Sequence, residues 1–383
     1  MDVTGFLHLL LQELSSSDSN TRNYFIRFHN IQLFNQCRVA LEGLQKEHIL
    51  LQRIRVSPLI HALMCPLSDD GKRILELNGR DWSVEDDVLI QMHAATRKPV
   101  AWESGVPWGV RQIKAPQAWS TTTGHRIQIG VIDTGADFRH PDLQHALMRG
   151  VNFVHRGLPP HDDNGHGTHI AGTIAASNQI YGIIGVAPRA LIHPVKAFDE
   201  NGSAYVSDIV QGIDWCVRNE LNIINMSFGM KSRSKSLLSA VTNAYNAGVT
   251  IVASSGNDSK RKSIDYPARY TQTISVGATD KLHRIAPFSN RGRYVDIYAP
   301  GEKIVSSWLK GKYHEMSGTS MATSHVSGAI ALLLAMNPEL NPGEIKALLR
   351  RSANPTRCPI NRSKTTPVSY EIDVSRLLKE AER

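Results

Sequence analysis

From residue 127 onward, short apolar runs alternate with amphipathic stretches, and that alternation leaves few folds open to the chain. Runs at 127–132, 192–196, 223–227 and 249–253 are rich in Ile and Val and have the length of buried strands. Residues 166–176, 206–218 and 236–247 carry apolar side chains at three- and four-residue spacing and read as helices. Strands separated by helices pair in parallel, because each connection must cross a face of the sheet. The fold class is therefore α/β: a parallel sheet flanked by helices. A further helix is expected to open at Asn341-Pro342-Gly343, and the last near 372–378. The chain has 383 residues, 41% apolar and 20% charged, which suits a large globular unit joined to a smaller one.

Three short motifs fall on these elements. Asp133, in Val131-Ile132-Asp133-Thr134-Gly135, ends the first strand, and ligand sites of open α/β sheets lie at such carboxyl ends. His166 lies in Asn164-Gly165-His166-Gly167-Thr168-His169. Ser320, in Ser317-Gly318-Thr319-Ser320-Met321-Ala322, opens a helix that continues through Val326, Ala329, Ile330, Leu332 and Leu333. Each motif alone has an ordinary use: a strand-end turn, a loop or metal pair, a helix cap. Together they supply what a hydroxyl nucleophile needs. An imidazole takes the serine proton and returns it to the leaving group, and a carboxylate fixes the imidazole tautomer. A helix start adds free N–H groups and a dipole that favour negative charge. His169, three residues after His166, has no Glu between the two as in His-Glu-x-x-His, and is expected to pack or hydrogen-bond.

These segments resemble the subtilisin-like serine proteases. Val106-Pro107-Trp108-Gly109-Val110, Ile113-Lys114-Ala115-Pro116, Gly185-Val186-Ala187-Pro188, Asn225-Met226-Ser227-Phe228-Gly229 and Ala299-Pro300-Gly301 are further landmarks, and the likeness runs from Val106 to the C-terminus. The resemblance implies a serine endopeptidase made as a zymogen, acting on protein or peptide substrates. It implies that the Asn257 amide, in Ala253-Ser254-Ser255-Gly256-Asn257, donates to the oxyanion beside the Ser320 N–H. Substrate would lie extended between Gly202-Ser203-Ala204 and Ser227-Phe228-Gly229. A calcium ion is implied at Asp142, Gln179 and the loop carbonyls of Ser177, Tyr181 and Ile183, although Gln179 stands where the family has Asn. Asp265 falls at the floor of the pocket for the side chain before the scissile bond, with Asp258 at its rim. Counting back from Val106 places maturation near Trp102-Glu103. Two other readings are a proteolytically silent binding protein that keeps its N-terminal domain, and a non-peptide hydrolase. The latter lacks the Gly-x-Ser-x-Gly elbow.

Residues 1–102 form a separate unit. A short amphipathic helix is expected to end near Ser15. Tyr24 to Phe28 read as a strand, and Leu33, Phe34, Cys37, Ala40, Leu41 and Leu44 as a helix face. Residues 53–56 alternate again, Ser68-Asp69-Asp70 caps a second helix, and Val88, Ile90 and Met92 read as a last strand. This small α+β layer resembles, by topology, the propeptide of the secreted members, which acts as intramolecular chaperone and inhibitor. Residues 94–105 read as a linker, so the catalytic unit is 103–383. The net charge of +8 comes from scattered basic residues, the densest run being Lys260-Arg261-Lys262, and no nucleic-acid partner is expected. No apolar run is expected to reach membrane length, and no membrane partner is expected. Residues 6–11 lack the basic flank and cleavage site of a signal peptide. Cys37, Cys65, Cys216 and Cys358 show no close pairing and suggest free thiols and an intracellular setting; a monomer is expected.

Overall fold

The computed structural model describes the chain except residues 1–2, 16–20, 47, 93–95, 103, 179–180, 262, 357–368 and 383. Seven strands run parallel in the order Ile297–Pro300, Thr273–Thr279, Thr250–Ser254, Ile223–Met226, Gln128–Asp133, Leu191–Lys196 and Val151–Asn152. Short strands Tyr370–Glu371 and Asn354–Pro355 extend one edge. Most of these strands are buried along their whole length, so they read as unbroken apolar runs. Helix Val206–Arg218 lies where its spacing predicts, and Pro342–Ser352 opens with a capping box between Asn341 and Glu344.

Helix Thr319–Met336 is long and apolar enough to cross a membrane by length and composition, contrary to expectation, yet 89% of it is buried inside the protein. It is the central core helix, packed between the sheet and helix His166–Ala175. Cys37, Cys65 and Cys216 are buried free thiols, while Cys358 lies outside the described residues.

The N-terminal unit has four antiparallel strands, in the order Arg55–Ser57, Ala62–Leu67, Arg22–Phe28 and Trp82–Asp86. Two of these have no counterpart in the expected pattern. Ala62–Leu67 is buried on both faces, so it shows no alternation. The strand that closes the sheet is Trp82–Asp86, not the segment around Ile90. Along Arg22–Phe28 the pleat divides the work. Tyr24, Ile26 and Phe28 face the helices Val3–Ser15, Ile31–Leu44 and Asp69–Asn78. Phe25 joins the core of the larger unit with Ile209, Ile213, Leu237 and Val241, and Arg27 donates to Ser239 Oγ at 2.7 Å.

Two segments expected in the small unit or its linker belong by pairing to the large one. Leu89–Gln91 is a strand, but it pairs antiparallel with Ser203–Tyr205. Thr96–Val100, expected as linker, is an edge strand paired with Lys312–Ser317. Its side chains are exposed and it contains Pro99, which an edge position tolerates.

Candidate active site

Asp133 is the last residue of its strand and fully buried, and both its oxygens meet His166 Nδ1, at 2.8 and 2.9 Å. The Thr134 amide donates to the same carboxylate at 2.8 Å. His166 is the first residue of its helix, held there by Gly165 at φ +103°, where a Cβ would meet the Trp308 ring at 2.4 Å. With Nδ1 bound to the carboxylate, Nε2 is the nitrogen left to exchange protons.

Asp162, which no motif reading singles out, ties the two segments together. Its Oδ1 accepts from Thr134 Oγ1 at 2.8 Å and the Gly165 amide at 2.8 Å, and its Oδ2 from Thr168 Oγ1 at 2.6 Å. Beneath it Lys196, buried, donates to the Thr134 carbonyl at 2.7 Å and pairs with Asp163 at 2.6 Å. The available signal was an Asp pair four and three residues before His166. His169 is buried, its Nε2 3.1 Å from the carbonyls of Ile304 and His314, and burial pulls it down to about 3. It is a neutral packing residue.

Ser320 is the second residue of its helix. Its Oγ donates to the Ser227 carbonyl at 2.8 Å, and the Ser227 hydroxyl donates to the Ser320 carbonyl at 3.3 Å. Ser227 follows strand Ile223–Met226, the neighbour of the Asp133 strand, so serine and His–Asp pair stand over adjacent strand ends. Asn257 Oδ1 accepts from the Thr319 amide at 2.9 Å and the Thr319 hydroxyl at 2.8 Å. That fixes the orientation of the amide and commits Nδ2 to the side of Gly318 and Ser320.

Of the two expected substrate edges, Ser227–Gly229 starts at the residue that bonds Ser320. Gly202, Ser203 and Ala204 carry the segment up to Met92, whose amide donates to the Gly202 carbonyl at 2.8 Å. Phe228 is buried and its carbonyl accepts from Ser254 Oγ at 3.1 Å, which anchors the Ser227–Gly229 edge. Asp265 is buried and its carboxylate meets Lys231 Nζ at 2.9 Å.

Trp102 lies elsewhere, its indole donating to the Gly182 carbonyl at 3.2 Å and packing on the main core. It does not fill the Asp265 pocket, and Glu103 is outside the described residues. The oxygens around Asp142 do not fit a calcium ion. Asp142 Oδ1 accepts from Asn178 Nδ2 at 2.9 Å, and Oδ2 from the Ile183 amide at 3.1 Å and the Tyr313 hydroxyl at 2.9 Å. The Ile183 carbonyl accepts from the Asn178 amide, and the Ser177 amide points at the Asp142 carbonyl. Tyr181 is exposed, its amide donating to Asn178 Oδ1, and Gln179 lies outside the described residues. Among the described residues no three His, Cys, Asp or Glu side chains gather as a metal site. Among the described residues, hydrogen bonds take up the Asp142 carboxylate and the Ile183 carbonyl.

Serine-dependent hydrolysis is the chemistry that a buried His–carboxylate pair, a helix-start serine and an oriented amide define at a sheet's carboxyl edge. The chain belongs to the subtilase family of serine peptidases, whose model matches residues 124–371. It is 38% identical over 310 residues to an alkaline protease of Alkalihalobacillus alcalophilus, covering 81% of this chain and 78% of that one. It is 35% identical over 329 residues to subtilisin E of Bacillus subtilis, 84% of each chain, and 43% identical over 249 residues to subtilisin Savinase of Lederbergia lenta, 65% of this chain and 91% of that one. The protein is a subtilisin-like serine endopeptidase.

Proposed function

We propose that Asp133, His166 and Ser320 are the triad of this endopeptidase, that Asn257 is its oxyanion donor, and that the chain is made as a zymogen. The Asp133–His166 pair carries the first part of this reading. Ser320 Oγ attacks the substrate carbonyl carbon while its proton passes to His166 Nε2, and the Asp133 carboxylate stabilises the imidazolium. The carbonyl oxygen becomes an oxyanion between Asn257 Nδ2 and the Ser320 amide. His166 then protonates the leaving amine, and water repeats the sequence on the acyl-enzyme.

The strand Leu89–Gln91 on the Ser203–Tyr205 edge carries the second part. It occupies one of the two edges assigned to substrate, in the antiparallel sense that strand addition uses. Thr96 is paired with Ser317, three residues before Ser320. Met92, bonded to Gly202, and Thr96, paired with Ser317, therefore bracket the segment proposed for the cut. The bond hydrolysed in maturation is one of those between Met92 and Thr96, instead of Trp102-Glu103. N-terminal sequencing of the active form tests this: a new terminus from 93 to 96 is expected, and a terminus at 103 would overturn it.

The N-terminal unit docks through carboxylates on helix starts, which makes its hold pH-dependent. Asp87 accepts from the Ser207 amide at 2.8 Å at the start of helix Val206–Arg218. Its side chain is buried, among the described residues Oδ2 has no hydrogen-bond partner, Arg55 stands 3.8 Å away, and Asp208 and Arg156 lie beyond. Burial pushes this carboxyl up to about 6, against the pull of Ser207 and Arg55. In the released unit it returns to the ordinary carboxylate range. The docked state thus holds the extra proton, and docking weakens as pH rises through about 6. The dissociation constant of the cut complex, with Ser320 sulfonylated, should rise on the order of a hundredfold from pH 4 to pH 8. An unchanged constant would remove Asp87 from the docking balance.

A further inference from the structure

Lys231 lies just past the Ser227–Gly229 edge, separated from it by Met230. Met230 and Tyr266 exchange backbone hydrogen bonds of 2.8 and 2.9 Å, which fastens this edge to the segment carrying Asp265. From there Lys231 Nζ reaches 2.9 Å from each Asp265 oxygen and also pairs with Asp258. The lysine side chain is 51% exposed and Asp265 1%, so the stem enters from solvent and the ammonium ends on a buried carboxylate. Gly256, at φ +102°, forms the wall: a Cβ there would lie 2.5 Å from Asp265 Oδ2. The carboxylate is thus directly behind the residue that precedes Asn257, and Asp258 follows it.

A buried carboxylate demands a cation. At the floor of a pocket for the side chain before the scissile bond, an Arg or Lys of the substrate would answer that demand. Lys231 answers it first. A tethered ammonium acts at an effective concentration of roughly millimolar or more, which a passing substrate side chain must exceed.

We propose that Lys231 determines the primary specificity of this peptidase: its ammonium is a built-in stand-in for a basic substrate side chain, and Asp265 serves to hold it. The inference rests on the endopeptidase reading proposed above and on the pocket that the family resemblance places at Asp265. Asp265 alone would mark a pocket for Arg and Lys, whereas the pair marks one that takes uncharged side chains and rejects a permanent cation.

The test uses the matured enzyme and peptide nitroanilides that differ only in Phe or Arg before the scissile bond. The wild type should favour Phe. Lys231→Met, or Lys231→Gln should the first fail to fold, should raise the Arg-to-Phe ratio of kcat/KM by about tenfold or more, the size expected when a carboxylate gains a charged partner. Lys231→Arg, which restores a cation, should return the ratio to near wild type. A wild-type preference for Arg, or a ratio that moves less than about twofold in a folded Lys231 variant, overturns the inference alone. Phe hydrolysis that survives Ser320→Ala sinks the endopeptidase reading and this inference with it.

Discussion

Ser320→Ala is expected to leave a folded, full-length chain with no measurable peptidase activity. The substitution removes one oxygen from a buried helix start and leaves no buried donor unpaired. Ser227 keeps its carbonyl near the helix and its own hydroxyl bond to the Ser320 carbonyl. Stability should therefore move by less than about 1 kcal/mol. Catalysis loses its nucleophile, and the drop in kcat borrowed from subtilisin is about a million-fold. The same variant should keep Leu89–Gln91 covalently joined to Thr96–Val100, so the purified protein should run at 383 residues while the wild type runs shorter. Casein hydrolysis, gel mobility and melting temperature check the three parts. Residual hydrolysis within tenfold of wild type would show that another group attacks.

Asn257→Ala is expected to lower kcat by about a hundred- to a thousand-fold with KM little changed, since the amide bonds an oxyanion that exists only beyond the ground state. The structure adds a condition. Asn257 Oδ1 accepts from both the amide and the hydroxyl of Thr319, and these contacts aim Nδ2. Asn257→Asp preserves those acceptors and removes the donor, so it should lose at least as much rate as the alanine variant while keeping the helix start intact. Thr319→Val, which deletes one of the two donors, should lose less than either. Steady-state kinetics on one peptide substrate rank the three. A near wild-type kcat for Asn257→Ala would refute the oxyanion role.

The chemistry was legible where a reaction fixes both residue type and local backbone. Asp133, His166 and Ser320, the proposed triad, each stand in a motif whose neighbours suit the same task, whereas Asn257 was reached through the family resemblance. Asp162, Lys231, Glu85 and Asp87 were not legible. Their roles come from meetings across 28 to 151 residues of chain, and nothing beside them in sequence marks the partner. The helices of the large unit were legible because amphipathic spacing records burial on one side. Ala62–Leu67 was not, because a strand buried on both faces has no period to read. Thr96–Val100 has the opposite defect: its polar side chains record only that it is an edge.

Glu85 completes the start of helix Lys235–Asn246. Its Oε1 accepts from Ser234 Oγ at 2.7 Å and the Lys235 amide at 2.9 Å, and its Oε2 from the Ser236 amide at 2.9 Å and hydroxyl at 2.7 Å. Asp87 does the like for the neighbouring helix. Two helix starts of the catalytic unit thus borrow their terminal acceptors from outside it. While the chain is whole, those acceptors arrive with every folding attempt. After the proposed cut between Met92 and Thr96 they would belong to another molecule, and a peptidase that unfolds would have to find it again or fold without it. The working life of an enzyme so released would then be set by how slowly it unfolds, a barrier height, and not by how favourably it refolds.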